Sequence, residues 1–212
     1  MPEATSSPAL AALDVGGPSH RWRELGFAVA GEHARAGKVE LRFHPDQPPG
    51  LRGWSLRGLP PGKDVDGIPA GEPSAPPAEP APAHPNGVEA IDHVVVLSPN
   101  LDRTLGALAS VGLPVRRLRE AGESPPLRQA FLVAGPAVLE VVGDVEDPAG
   151  RDAPARLWGV TFVVADLDAL TRQLGDALGR PHAAVQPGRR IVSVRESAAE
   201  LGVPVAFITP RH

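Results

Sequence analysis

His93 sits inside an apolar, β-branched run, IDHVVVL, and Glu140 sits inside another, AVLEVV. Imidazole titrates near neutral pH, and a carboxylate beside it can hold or return its proton. A histidine and a glutamate facing one cleft therefore make an acid/base unit. The other chemistry open to them is metal binding, but a catalytic ion takes about three protein donors and keeps one position open for water or substrate. A third donor would have to come from His20, His33, His44, His84, His182 or His212.

Other side chains could furnish a ligand cleft. Arg128 and Gln129 begin a strand-like run, and Gln186, Arg189, Arg190 and Arg195 lie together in VQPGRRIVSVR. A guanidinium is a planar fork suited to carboxylate or phosphate. Strand alternation places Arg189 and Arg195 on one side and Arg190 on the other, so only one set can enter a cleft. Trp158 offers an indole surface for stacking, or a core or interface contact. Asp102, Asp166 and Asp168 fall where helix caps and first turns take acids, which accounts for them without catalysis. No glycine-rich phosphate loop, GxSxG elbow or HExxH pair occurs, which disfavours nucleotide-dependent, serine-hydrolase and zinc-protease chemistry.

The elements that would carry these residues repeat. Ile91 to Asp102, IDHVVVLSPNLD, matches Leu157 to Asp168, LWGVTFVVADLD, and 159 minus 93 and 206 minus 140 both give 66. His93 thus matches Gly159, and Glu140 matches Ala206. Each copy reads as a strand, a capped helix with one leucine face, and three further strands. The copies span 90–144 and 157–210. A compressed third copy is expected in 1–59, where PSHRWREL predicts a short helix and KVELRFH and GLRGWSLRG predict strands. Between them, residues 60–88 hold nine prolines and read as a semi-rigid linker.

Composition narrows the partners. With 21 basic and 25 acidic residues the net charge is −4, so no electrostatic footprint for nucleic acid or an anionic membrane exists. No apolar run approaches a membrane span and no signal segment is visible, which makes a cytoplasmic location the default. The absence of cysteine excludes disulfides, thiolate metal sites and a cysteine nucleophile.

Tandem βαβββ modules that open with I-D-H-apolar, continue with a D-L-D helix start and close with apolar-E-apolar resemble the vicinal oxygen chelate superfamily of glyoxalase, bleomycin-resistance and dioxygenase proteins. The resemblance covers residues 89–210 well and 9–59 weakly. It implies an α+β fold in which two modules of a glyoxalase-like domain, 89–212, pair into a curved, partly closed sheet around a cleft, with helices outside. It also implies a divalent metal held from the first and last strands of each module, here His93, Glu140, Gly159 and Ala206. Two of those four have no side-chain donor. The expectation is therefore no cofactor, or at most a weakly bound divalent metal on His93 and Glu140. The function expected is binding or conversion of a small organic molecule, with His93 and Glu140 catalytic if a lyase or isomerase, and Arg128, Gln129, Trp158, Gln186, Arg189 and Arg195 as ligand contacts. The alternatives are a non-catalytic assembly or regulatory protein, and a metal-dependent lyase, isomerase or dioxygenase. A homodimer is expected, with the N-terminal segment contributing to its interface.

Overall fold

The computed structural model describes residues 7–59, 64–73, 81–121, 127–143, 149–195 and 200–211. In chain order the elements are β1 (Ala9–Gly16), α1 (His20–Glu24), β2 (His33–Ala36), β3 (Val39–His44) and β4 (Gly50–Arg57), then β5 (Val88–Ser98), α2 (Leu101–Ser110), β6 (Val115–Ala121), β7 (Leu127–Ala134) and β8 (Ala137–Gly143). The last group is β9 (Arg156–Val164), α3 (Leu167–Leu174), β10 (His182–Ala183), β11 (Arg190–Ser193) and β12 (Val205–Ile208). They form an α+β protein with two open sheets, ordered β2-β3-β1-β4 and β10-β11-β12-β9-β5-β8-β7-β6. Among the described residues no helix is long and apolar enough to cross a membrane.

The 66-residue repeat survives into the strand registers. Val94 pairs with Leu139 where β5 runs parallel to β8, and Val160 pairs with Val205 where β9 runs parallel to β12. The two modules join where β5 and β9 meet antiparallel. There Val95 lies opposite Gly159 and His93 opposite Thr161, pairs that exchange under the repeat offset. Asn100 and Asp166 cap their helices, each accepting a backbone N–H three residues on.

One face of the large sheet is the core. Val94, Val96, Leu139, Val141, Val160, Phe162, Val205 and Phe207 point there, all buried. Besides α2 and α3, this face receives the N-terminal segment. Trp22 on α1 lies 6.2 Å, and Phe27 lies 5.0 Å, from the Phe162 ring. Residues 9–59 thus dock on the chain's own sheet. Their apolar residues, Leu10, Leu13, Trp22, Phe27 and Leu41 among them, are buried within the chain itself.

In the N-terminal segment β4 pairs antiparallel with β1, while β3 flanks β1 in parallel. That is the arrangement β9 and β8 have around β5, so β4 stands in the place of a following module's first strand. The proline-rich stretch is more than a spacer in its described parts. Val65 and Ile68 are buried, Ala70 bridges Trp54 on β4, and the Asp66 carboxylate pairs with Arg103 of α2 at 2.6 Å. His84, 6% exposed, accepts the Ala28 N–H on Nδ1 and donates from Nε2 to the Arg35 carbonyl. Burial lowers its pKa, against the raising effect of that carbonyl. Scattered apolar residues among prolines carry no periodicity, so composition hid this packing.

Candidate functional site

The opposite face of the large sheet carries the polar groups. His93 on β5 pairs with Val138 on β8, and Glu140 pairs with Val95, so both side chains leave the sheet on one side. They meet there, with His93 Nε2 3.7 Å from Glu140 Oε2 and both side chains about five-sixths covered. The family-like positions in the second module, Gly159 and Ala206, offer no side-chain donor. Gly159 is also crowded, since a Cβ there would stand 3.0 Å from the Pro204 carbonyl oxygen.

Asp92 belongs to this site, although its sequence position argues otherwise. Neighbours in a regular strand point to opposite faces. Here the β5–β9 ladder shifts register between Ile91 and His93, leaving Asp92 as the extra residue of a bulge. The bulge brings Asp92 Oδ2 to 2.9 Å from His93 Nδ1. Its other oxygen, Oδ1, lies 2.7 Å from Arg189 Nη2, with Arg211 farther out at 3.8 Å. Arg189 is held in turn by the Thr209 carbonyl, to which Nε donates, and by Gln186, to which Nη1 donates. Burial alone would raise the Asp92 pKa. The hydrogen bonds from His93 and Arg189, with the charge of both, outweigh it and bring the carboxyl down to about 2.

The protonation pattern of the histidine follows. An ionised carboxylate only accepts hydrogen bonds, so His93 Nδ1 must be the donor and the neutral ring presents its lone pair at Nε2. Nε2 and the Glu140 carboxylate then face each other 3.7 Å apart, and a ligand donor set beside the pair could reach either. Asp92→Asn tests this. The asparagine oxygen stays on the Arg189 guanidinium, so its NH2 turns to His93 and donates to Nδ1, moving the ring proton to Nε2. Nitrogen NMR of labelled histidine should show the tautomer change, and an unchanged tautomer would refute the assignment. Acid stability gives a second readout. The Asp92 pKa is depressed from 3.8 to about 2. Its stabilisation is therefore complete above about pH 4 and lost as pH falls through 2. The loss is about 2 kcal/mol, and Asp92→Asn lacks this step.

The remaining sequence candidates separate. Gln129 lies on the His93 side of the sheet, opposite Val142 of β8. Arg128 faces the other way and pairs with Asp102 of α2 at 3.1 Å, as period-two alternation requires of neighbours. Arg190 pairs with Asp168 of α3 at 2.9 Å, so Arg189 is the arginine of its cluster that reaches the centre. Arg195 is exposed beyond the end of β11. Trp158 is 43% exposed, the extra residue where the ladder slips between Val95 and Val96. Arg119 lies opposite Gln129 and so shares the His93 side of the sheet with it. Of the histidines offered as a third donor, His33 pairs with Glu40, His44 with Asp14, and His84 with backbone. His182 is exposed beside the Arg180 carbonyl, His20 is exposed on α1, and His212 lies outside the described residues.

No family model matches the sequence, and neither does any curated protein. Solved structures do. A variant of 4-hydroxymandelate synthase from Streptomyces coelicolor aligns over 96% of this chain and 94% of its own, with 15% identity and a TM-score of 0.62. A xylose isomerase-like TIM barrel/4-hydroxyphenylpyruvate dioxygenase fusion protein aligns over all of this chain and 50% of its own, with 13% identity and a TM-score of 0.63. Methylmalonyl-CoA epimerase from Mycobacterium tuberculosis covers 59% of this chain and 91% of its own, with 19% identity and a TM-score of 0.46.

The expectation of no cofactor, or of a weakly bound divalent metal at most, is corrected by these likenesses. A dioxygenase is among the matches, and O2 chemistry takes a metal or organic cofactor that side chains alone do not replace. The likeness in fold therefore gives no support to cofactor-free chemistry. The residues present do not complete a metal site either. Among the described residues no group of three histidine, cysteine, aspartate or glutamate side chains is placed to hold an ion. No step below passes through one.

Proposed function

We propose that this chain, whose fold is that of the vicinal oxygen chelate superfamily, binds a small organic molecule in the cleft over β5 and β8 and moves a proton on it with His93 and Glu140. The observation that carries the reading is the Asp92–His93–Glu140 line. A carboxylate fixes Nδ1 as donor, and a second carboxylate stands 3.7 Å from Nε2 on the same side of the sheet. In such a pair His93 Nε2 accepts a proton from a C–H or O–H of the ligand, and the bonding electrons stay on the ligand. The imidazolium formed lies between two carboxylates, which stabilise it. Returning the proton to another atom of the same molecule is an isomerisation, and giving it to a departing group completes an elimination. Positioned acid/base groups contribute about 10²- to 10⁴-fold to such steps.

The test combines binding and exchange. A library of small organic molecules should contain compounds that raise the melting temperature of the intact chain by several degrees. His93→Gln and Glu140→Gln should weaken those compounds about tenfold or more. In D2O, bound compounds with an acidic C–H should exchange it for deuterium, and His93→Gln should slow that exchange by about two orders of magnitude. Binding without exchange would reduce the proposal to ligand sequestration. A library with no binder, or binders indifferent to both substitutions, would sink it.

A further inference from the structure

We propose that Arg119 is the anion-binding group of this cleft and that the ligand it receives carries a carboxylate. This rests on the small-molecule reading above and narrows it to a ligand class. In the β6–β7 ladder Arg119 lies opposite Gln129 and Arg117 opposite Phe131, and in the β7–β8 ladder Phe131 lies opposite Glu140. Directly paired residues share a face, so Arg119, Gln129, Phe131 and Glu140 line one wall. The Arg119 side chain is fixed against it. Nε donates to Gln129 Oε1 at 2.6 Å, and the guanidinium carbon stands 5.3 Å from the Phe131 ring centre. The cation thus leans over β7 toward the strand that bears Glu140. Held by one hydrogen bond and one aromatic ring, it needs little reordering to take a ligand.

Its charge sets it apart from the three arginines already paired with carboxylates, and its hold on Gln129 and Phe131 sets it apart from Arg117 beside it. Arg128 is paired with Asp102, Arg190 with Asp168 and Arg189 with Asp92. Among the described residues Arg119 has no carboxylate partner, and its two Nη groups have no acceptor. Arginine stays charged at every physiological pH, and two parallel N–H groups match the two oxygens of a carboxylate. A phosphate, with three oxygens and more charge, is usually met by a helix N-terminus or a nest of backbone N–H groups, and this wall is built of paired strands. A carboxylate on Arg119 would place the carbon skeleton of the ligand along β7 and β8 toward Glu140 and His93.

The experiment uses the intact chain and matched probes. Benzoate, phenylacetate, succinate and pyruvate are titrated against their primary amides, with phenyl phosphate as a separate arm, and affinities are read by calorimetry or melting shift. The expected result is that at least one acid binds ten times more tightly than its amide. Arg119→Met, which keeps an unbranched apolar contact on Phe131, should then weaken that acid at least tenfold and leave amides within twofold. Arg119→Lys should fall between. If Arg119→Met does not fold, the acid/amide ratio in the wild type and its change in Arg119→Lys decide the matter. Acids and amides binding alike, acids held equally well by the variants, or phenyl phosphate held more tightly than every carboxylate would each overturn the assignment. Amide binding that responds to His93→Gln with no preference for acids would overturn Arg119 alone and leave the cleft reading intact. Silence of every probe overturns the assignment, and silence of the wider library as well takes the cleft reading with it.

Discussion

Replacing Arg189 with alanine is expected to lower the melting temperature by about 6 to 20 °C, the largest effect of any polar substitution in the molecule. Arg189 and Asp92 are 5% and 7% exposed, and their side chains meet at 2.7 Å. Removing one member of a buried pair leaves the other charged, desolvated and unpartnered, which costs about 3 to 5 kcal/mol. For a chain of this size each kcal/mol moves the melting temperature by about 2 to 4 °C. The Thr209 carbonyl and the Gln186 amide lose their donor as well. The double variant Asp92→Asn with Arg189→Met should recover part of the loss, because neither charge is then buried alone. A single Arg189→Ala variant that melts with the wild type would show that the ion pair does not hold the site together.

Trp22→Ala should be comparably damaging for a different reason. Trp22 is 2% exposed and forms the keystone between the N-terminal sheet and the large one, with Phe27 at 5.2 Å, Phe43 at 5.5 Å and Phe162 at 6.2 Å from its ring. Truncating a buried tryptophan typically costs about 3 to 5 kcal/mol, and edge-to-face aromatic pairs add to the loss. The substitution should also uncover Phe162 and Phe43, so binding of a hydrophobic dye should rise before global melting. A variant that melts normally and binds no dye would mean that the N-terminal sheet is held by other contacts.

The repeat was the most legible part of the sequence, because the 66-residue offset reflects strand registers and not composition alone. It marks β5, α2, β8, β9, α3 and β12, whereas the convergence of His93 and Glu140 is implied by the family resemblance and not by the repeat. What stayed hidden were departures from periodicity. Asp92 reads as facing away from His93 under strict alternation, and a bulge reverses that. Arg119 was not legible as a site candidate, because the strand phase that sets it beside Gln129 comes from the β6–β7 register, which a short charged run does not reveal. The N-terminal segment gave its helix and strands but not the exchange of β4 to the other side of β1, since partner choice is a tertiary property.

The parallel pairs have a kinetic meaning. Val94 pairs with Leu139 and Val160 with Val205, and 139 minus 94 and 205 minus 160 both give 45. Each module must therefore close a loop of 45 residues before its first and last strands touch, and the seam between β5 and β9 can align only once both are near. Loops of that length pay their entropy ahead of any stabilising contact, so folding in milliseconds to seconds is expected rather than microseconds. His93 and Glu140 lie on the two sides of one such closure. Their meeting waits on that closure, and a chain in which β8 has not docked holds His93 on β5 without the Glu140 that completes the pair.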